Sequence, residues 1–330
     1  MSRYDYFLYG LAITSSHPLG SFAPAIAHRE AAPDVVVEVA MERYRMDPRA
    51  EVVTLGPAHA GNLHRLYIHD AGYDLVYATE HASAAFCVDG RGSRVTIRVA
   101  EEFLLQDALS LLAHPVLAYV ARLHGRTCLH GNVVSAGGGA VAILGRSGSG
   151  KSSLSAAMLA LGCEPFADDV TALHEGVDGF AAHRGIDRLR VKPGTALGLG
   201  VDTAASSPVF RELFGNPSHD KLYLPERPDE GPRVPLLPLR GIYVLRPRTA
   251  GSSEPVIRRL DPFDALPLLA MNTSGREVLS RAARMDEHRV LSRLAGSVPV
   301  STLECPDSLA KLGRAGEALL EELGVHHEGR

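Results

Sequence analysis

The apolar run Ala140–Leu144 passes directly into Gly145, Arg146, Ser147, Gly148, Ser149, Gly150, Lys151 and Ser152, and then into the apolar-rich stretch Ser153–Leu161. This order predicts a buried strand, a glycine-rich loop and a helix, the setting in which such a loop cradles phosphate. The glycines let successive backbone N–H groups turn inward, and the helix N-terminus adds partial positive charge. Lys151 is placed to reach the outer phosphates and the Ser152 hydroxyl to hold Mg²⁺, with Ser153 completing the nucleotide-binding set. A Gly/Ser-rich linker could repeat the letters, but it would lack the strand before and the helix after. The ligand implied is a nucleoside triphosphate.

Asp168 and Asp169 follow, sixteen residues beyond Ser152, after one helix and the short stretch Cys163–Ala167. Adjacent side chains in a strand point to opposite faces, so the two carboxylates need a bend to serve one site. Given that bend, one can orient Mg²⁺ while the other takes a proton from an attacking hydroxyl. An isolated Asp-Asp is usually a solvated turn; the return after the loop helix favours a site. Upstream, His130 and Gly131 open the segment Asn132–Ser135, and Ala136–Gly139 turns the chain back into the loop strand. The pattern predicts a β-hairpin that brings His130 beside the loop. A lone His in such a place is more often structural than catalytic.

His-Gly, a hairpin, Gly-x-Ser-Gly-x-Gly-Lys-Ser, one helix and Ala-Asp-Asp together resemble the catalytic core of the HPr kinase/phosphorylase family. The likeness is closest over residues 125–175, with His130 fifteen residues before Gly145 and the Asp pair in matching register after Lys151. The resemblance implies an α/β P-loop core of the HPr-kinase-like (PEP-carboxykinase-like) type, using ATP and Mg²⁺. It implies phosphate binding by Lys151 and the loop amides, and Mg²⁺ at Ser152 and Asp169. It also implies Asp168 as the base, with His130 nearby in the phosphate site; the two aspartates could exchange roles. Leu266–Asn272 is similar to an apolar, Asn-ended segment near the family's C-terminus.

There are departures. Ser153 stands where the bifunctional enzymes carry an acidic residue, and the Glu-Ile-Arg-Gly signature has only a loose counterpart in Asp187–Arg190. The opening Tyr4–Ser15, Leu129–Asn132 and Leu239–Leu245 resemble the HPr-kinase-related proteins of bacterial biosynthetic clusters. Some of those phosphorylate the C-terminal serine of ribosomally made lasso precursor peptides.

The remaining sequence bounds partners and place. No uninterrupted run of 18 apolar residues occurs, and Met1–Asp5 lacks a basic-then-apolar leader pattern, so the expectation is a cytoplasmic protein with no membrane partner. Cys87, Cys128, Cys163 and Cys305 are scattered without metal-ligand spacing, as thiols of a reducing compartment are. A net charge of −4 with dispersed Lys and Arg gives no footprint for nucleic acid. The short cluster holding Arg188 and Arg190 reads as a phosphate or acceptor contact instead.

Strand-like runs separated by Gly, Pro and Asp fill residues 1–100, including the period-2 alternation of Ser93–Val99. They predict a β-rich accessory region for substrate docking, ahead of a kinase core over 101–330. Glu101–Leu123 is expected as a helix, 202–235 as long connections over the site, Val298–Glu304 as an edge strand and Asp307–Leu323 as a closing helix. The function expected is ATP-dependent phosphorylation of a serine hydroxyl on a peptide or small protein. The alternatives are a kinase of a free amino acid or sugar, and a nucleotide-binding regulator without transfer. A homo-oligomer stays open.

Overall fold

A computed structural model describes residues 3–19, 32–55, 63–79, 82–201, 203–204, 206–209, 221–224 and 234–325. The chain forms two compact units. The first is Met1–Gly125 with Pro208–Lys221 and Gly275–Leu279; the second is Arg126–Ser207, Leu222–Ser274 and Ser280–Arg330.

In the first unit the strands are β1 (Tyr4–Leu8), β2 (Leu11–Ser15), β3 (Val35–Met41), β4 (Glu51–Thr54), β5 (Leu63–His69), β6 (Gly72–Ala78), β7 (Ser83–Asp89) and β8 (Arg94–Val99). They form one sheet in the order β1-β2-β3-β8-β7-β6-β5-β4. The alternation read from the sequence is present in β8, where Val95, Ile97 and Val99 are fully buried. The stretch after β8 runs as α1 (Leu105–Leu111), a π turn over Leu112–Val116 and α2 (Leu117–Leu123). Pro115, which has no N–H for the helical ladder, lies in that π turn.

A division near residue 100 would cut this unit. Leu104, Leu109, Leu112 and Val116 are buried in it, and the Tyr9 hydroxyl donates to the Ala113 carbonyl at 2.9 Å. The boundary therefore comes at Gly125, after the helices rather than before them. By length and composition Glu102–Leu123 is apolar enough to cross a membrane, with 78% of its most apolar window buried inside the protein.

The second unit begins with β9 (Thr127–Ala136), β10 (Gly139–Leu144), α3 (Lys151–Ala160), β11 (Glu164–Ala167), β12 (Val170–Gly176) and β13 (Gly179–His183). Then come β14 (Arg190–Val191), α4 (Pro193–Gly198) and β15 (Ser207–Pro208), where the chain leaves the unit, and β16 (Leu222–Tyr223) on its return. It closes with β17 (Leu236–Leu245), β18 (Val256–Arg259), α5 (Pro262–Met271), α6 (Arg281–Ser297), β19 (Val300–Glu304) and α7 (Leu312–Glu322).

Gly137 and Gly138, with φ of 55° and 74°, make the two-residue turn of the β9–β10 hairpin. Positive φ at both central residues is the geometry that matches strand twist. The two ten-residue strands β9 and β17 organise the unit. One edge of β9 carries β11 and β12 and the other carries β10, while β17 pairs in succession with β13 and β10. A ring of pairings β10-β9-β12-β13-β17 results, and β19 and β18 extend it beyond β17. Val300–Glu304 is therefore an interior strand, parallel to β17 and covered by β18, and not the edge that its sequence predicts.

One face packs α5 and α6 through Ala265, Leu269, Leu291 and Leu294. The other packs α3 and α7 through Leu154, Met158, Ala315 and Leu319. Strands β10, β17 and β19 run parallel, so their carboxyl ends share one edge of the layer, the usual place for ligands in α/β sheets. Most of the expected connection 202–235 lies outside the described residues.

Candidate functional site

The 145–152 loop leaves the carboxyl end of β10. Gly145, Gly148 and Gly150 have φ of 148°, 80° and 101°, values that favour glycine. Arg146, Ser147 and Gly148 face solvent, and the Ser149 hydroxyl is buried without a hydrogen-bond partner among the described residues. Lys151 opens α3 and is buried. Its Nζ donates to the carbonyls of Gly145 at 2.6 Å and Arg146 at 3.2 Å, and stands 3.1 Å from His130 Nε2. Ser152 and Ser153 lie half-buried in the first turn, with Ser153 Oγ 3.5 Å from Thr195 Oγ1.

The carboxylate pair is set by a break in strand pairing. Ala167 at the end of β11 lies opposite Val133, and Val170 at the start of β12 lies opposite His130. Asp168 and Asp169 fill the interval, and Asp169 adopts a left-handed φ of 69°. Such a conformation costs a non-glycine residue about 1 kcal/mol, least for Asn and Asp. Two hydrogen bonds hold it there: Asp169 N–H donates to Asn132 Oδ1 at 3.1 Å, and Gly131 N–H donates to the Asp169 carbonyl at 3.1 Å. Asn132 is itself anchored to α3, its Nδ2 donating to Ser155 Oγ at 3.2 Å.

The left-handed residue cancels the alternation of a strand, and both carboxylates meet one guanidinium. Arg190 Nε donates to Asp168 Oδ2 at 2.6 Å, and Arg190 Nη2 lies 3.1 Å from Asp169 Oδ2. Asp169 Oδ1 is 3.7 Å from His130 Nδ1. A chain of polar contacts thus runs from the loop lysine through His130, Asp169 and Arg190 to Asp168. Gly131 is part of the fit, since a Cβ there would stand 2.6 Å from the Ile143 carbonyl and 2.3 Å from Leu144 Cδ2.

Burial, opposed by the Asp169 carboxylate and assisted by Lys151, holds the His130 pKa below its ordinary value. A neutral ring fits the contacts: charged Lys151 donates to Nε2, which leaves the proton on Nδ1, facing Asp169. Burial acts against the charge of Arg190, and Asp168 and then Asp169 outweigh it, so the guanidinium stays protonated. Asp168 is 2% exposed in its side chain and Asp169 31%, so the two are unequal in access.

Of the two candidate arginines, Arg190 grips this cluster. Arg188 Nε donates to the Leu224 carbonyl at 2.7 Å and its guanidinium stacks over Tyr223, which ties the 188–190 segment to β16 and its flank. Leu189 and Val191 turn the other way into a small core with Ala156 of α3. Asn132 was not singled out as a site residue. Its signal was its place in the His-Gly-Asn run, where a buried amide between hairpin and helix has to find partners. The His130 backbone N–H donates to the Asn272 carbonyl at 2.6 Å, which gives the Leu266–Asn272 segment a contact with the site strand.

No protein-family model and no curated protein matches this chain. Among solved structures it is similar to the structure of the Hpr(Ser) kinase/phosphatase from Coxiella burnetii, at 13% identity and a TM-score of 0.29, over 60% of this chain and 93% of that one. At that TM-score the likeness carries no functional weight.

Proposed function

We propose that this protein is an ATP-dependent kinase of the HPr-kinase-like type, transferring the γ-phosphoryl group to a serine hydroxyl of a peptide or small protein. The observation that carries the reading is the Lys151–His130–Asp169–Arg190–Asp168 chain, which puts a carboxylate pair beside a phosphate-binding lysine. A loop that only senses nucleotide has no need of two carboxylates and a histidine in that place.

The donors suit Mg²⁺, which takes hard oxygen ligands and few protein groups. The Ser152 hydroxyl and the partly exposed Asp169 carboxylate would hold it, and when bound it would neutralise charge on the phosphates. Lys151 and the loop amides bind and orient the phosphate chain. His130, neutral, accepts from Lys151 and keeps its Nζ turned toward the loop. Asp168 becomes the base for an acceptor hydroxyl when Arg190 yields its hold; Asp169, already accessible, fills that role if the two are exchanged. Arg190, which stays protonated, pairs with both carboxylates. The β-rich first unit would dock the remainder of a peptide acceptor, making transfer effectively intramolecular.

The test is a transfer assay with Mg²⁺-ATP against serine-containing peptides, including lasso precursor peptides ending in Ser, and against free amino acids and sugars. Products are read by mass spectrometry, with Lys151→Ala as the control. Lysine-dependent phosphopeptide formation is the expected result. Labelling of a small molecule alone would replace the acceptor class, and nucleotide binding without transfer to any acceptor would leave a regulator.

A further inference from the structure

The parallel strand next to the loop strand ends in Leu245 and continues as Arg246, Pro247 and Arg248. Because β17 pairs in parallel with β10, this segment emerges beside the phosphate loop: Leu245 Cβ lies 3.2 Å from where a Cβ on Gly145 would stand. The two arginines diverge. Arg246 lines a cleft of about 240 Å³ with Val256, Arg258, Thr302 and Glu304. Arg248 turns to the loop, and its Nη2 is 2.6 Å from the position that a Cβ on Gly150 would occupy. Glycine at 150, at a φ of 101°, is what leaves room for that guanidinium.

Arg248 is half-buried, and no carboxylate among the described residues pairs with it. Glu304, close by in the chain end of β19, accepts the Thr249 backbone N–H instead. The charge of Arg248 reaches inward as well: desolvation pushes the Cys305 thiol up to about 11, and Arg248 is the group that pulls against it. A half-buried cation without an acid, set against a loop whose backbone gathers phosphate, has one obvious class of partner. Lys151 meets His130 of β9 on one side of the loop; Arg248 approaches from the side of β17.

Resting on the nucleotide-binding reading above, we propose that Arg248 is a second cation of the nucleotide site, and that its guanidinium contacts the phosphate chain of the nucleoside di- or triphosphate held by residues 145–152. It binds in the ground state, from the side opposite the carboxylate pair, and fixes the direction in which the phosphates enter the loop.

The experiment is isothermal titration of the full chain with Mg²⁺-ATP, Mg²⁺-ADP and adenosine, for the wild type, Arg248→Met, Arg248→Lys and Lys151→Ala. Arg248→Met keeps most of the apolar stem and removes the charge. It is expected to weaken ATP and ADP about 10- to 100-fold, the range for a charged hydrogen bond, and to leave adenosine unchanged. Arg248→Lys should recover part of the loss, and the ratio of wild type to Arg248→Met should shrink as salt rises. Circular dichroism melts confirm that the variants are folded. If Lys151→Ala weakens ATP while folded Arg248→Met binds it as wild type does, this inference is wrong and the nucleotide site stands. If the wild type binds neither ATP nor ADP, both are wrong.

Discussion

Replacing Arg190 by Met tests whether the buried cluster is held by charge. Arg190 and Asp168 are both shielded from water, at 9% and 2% side-chain exposure, and touch at 2.6 Å, with Asp169 a second partner at 3.1 Å. At an effective dielectric of about 20, two charges about 4 Å apart attract by roughly 4 kcal/mol, and much of that offsets the desolvation of both groups. Removing one partner is different from removing both, because it strands a buried carboxylate. The expected loss is about 3–5 kcal/mol at pH 7, or roughly 10 °C in the melting temperature of a domain of this size. Asp168 without its guanidinium should take up a proton more readily. Its folded pKa then lies above the unfolded one, so the penalty is present above that pKa and lost as pH falls through it.

Adding Asp168→Asn to Arg190→Met should therefore restore about 2–3 kcal/mol, although each change alone destabilises. The assay is urea unfolding by circular dichroism across the four proteins of the double-mutant cycle, at pH 7 and pH 5. The chain has no tryptophan, so indole fluorescence is not an option. If Arg190→Met costs less than about 1 kcal/mol at pH 7, or if Asp168→Asn recovers nothing in that background, the cluster is not held by charge.

Lys151→Ala should lower phosphoryl transfer by about 10²-fold or more while the protein stays folded, since no neighbour offers a cation at the same point; turnover unchanged at saturating Mg²⁺-ATP would remove the phosphate-loop assignment. Asp168→Asn and Asp169→Asn should both abolish transfer, with weaker Mg²⁺-nucleotide binding only in the variant that loses the metal-side carboxylate; titration of each with Mg²⁺-ATP reads the difference, and full activity in both would sink the kinase reading. His130, whose folded pKa burial holds below the ordinary value of about 6.5, carries fewer protons folded than unfolded, so its contribution to stability is complete above about pH 6.5 and is lost as pH falls toward the folded pKa. The buried His183, pushed down to about 4, adds to the same limb, so the check is the difference between wild type and His130→Gln unfolding from pH 7 to pH 5; identical pH profiles would refute it.

Local patterns carried the second unit's hairpin, loop and helix in the sequence because each is specified by neighbours. Glycines 137 and 138 dictate the turn, and Gly145–Ser152 the loop. The bend that unites Asp168 and Asp169 was readable as a need but not as a mechanism. The left-handed Asp169 depends on Asn132, more than thirty residues away in the chain, and propensity carries no trace of such a partner. Arg188 and Arg190 were indistinguishable as a basic cluster; their tertiary partners, the Leu224 carbonyl for one and the carboxylates for the other, separate them. The compact units divide at Gly125 and not near residue 100; a helical period in Glu102–Leu123 shows amphipathic burial without saying which sheet receives it. Val300–Glu304 looked like an edge because β18, which covers it, is short and mostly exposed.

The groups of the site do not stand on equal foundations. His130 lies in a ten-residue strand bonded on both sides, and the loop springs from a strand that is likewise flanked on both sides. Arg190 belongs to β14, two residues paired with two of β16. Backbone amides of β9 and β10 should then exchange with solvent only on global opening of their unit, whereas those of β14 and β16 open by a smaller, local excursion. The short segment is held by the charges it grips together with the Arg188 contacts to Leu224 and Tyr223 and the packing of Leu189 and Val191. Neutralising either carboxylate should remove one of these anchors, and local exchange of residues 188–191 is where the change would be felt.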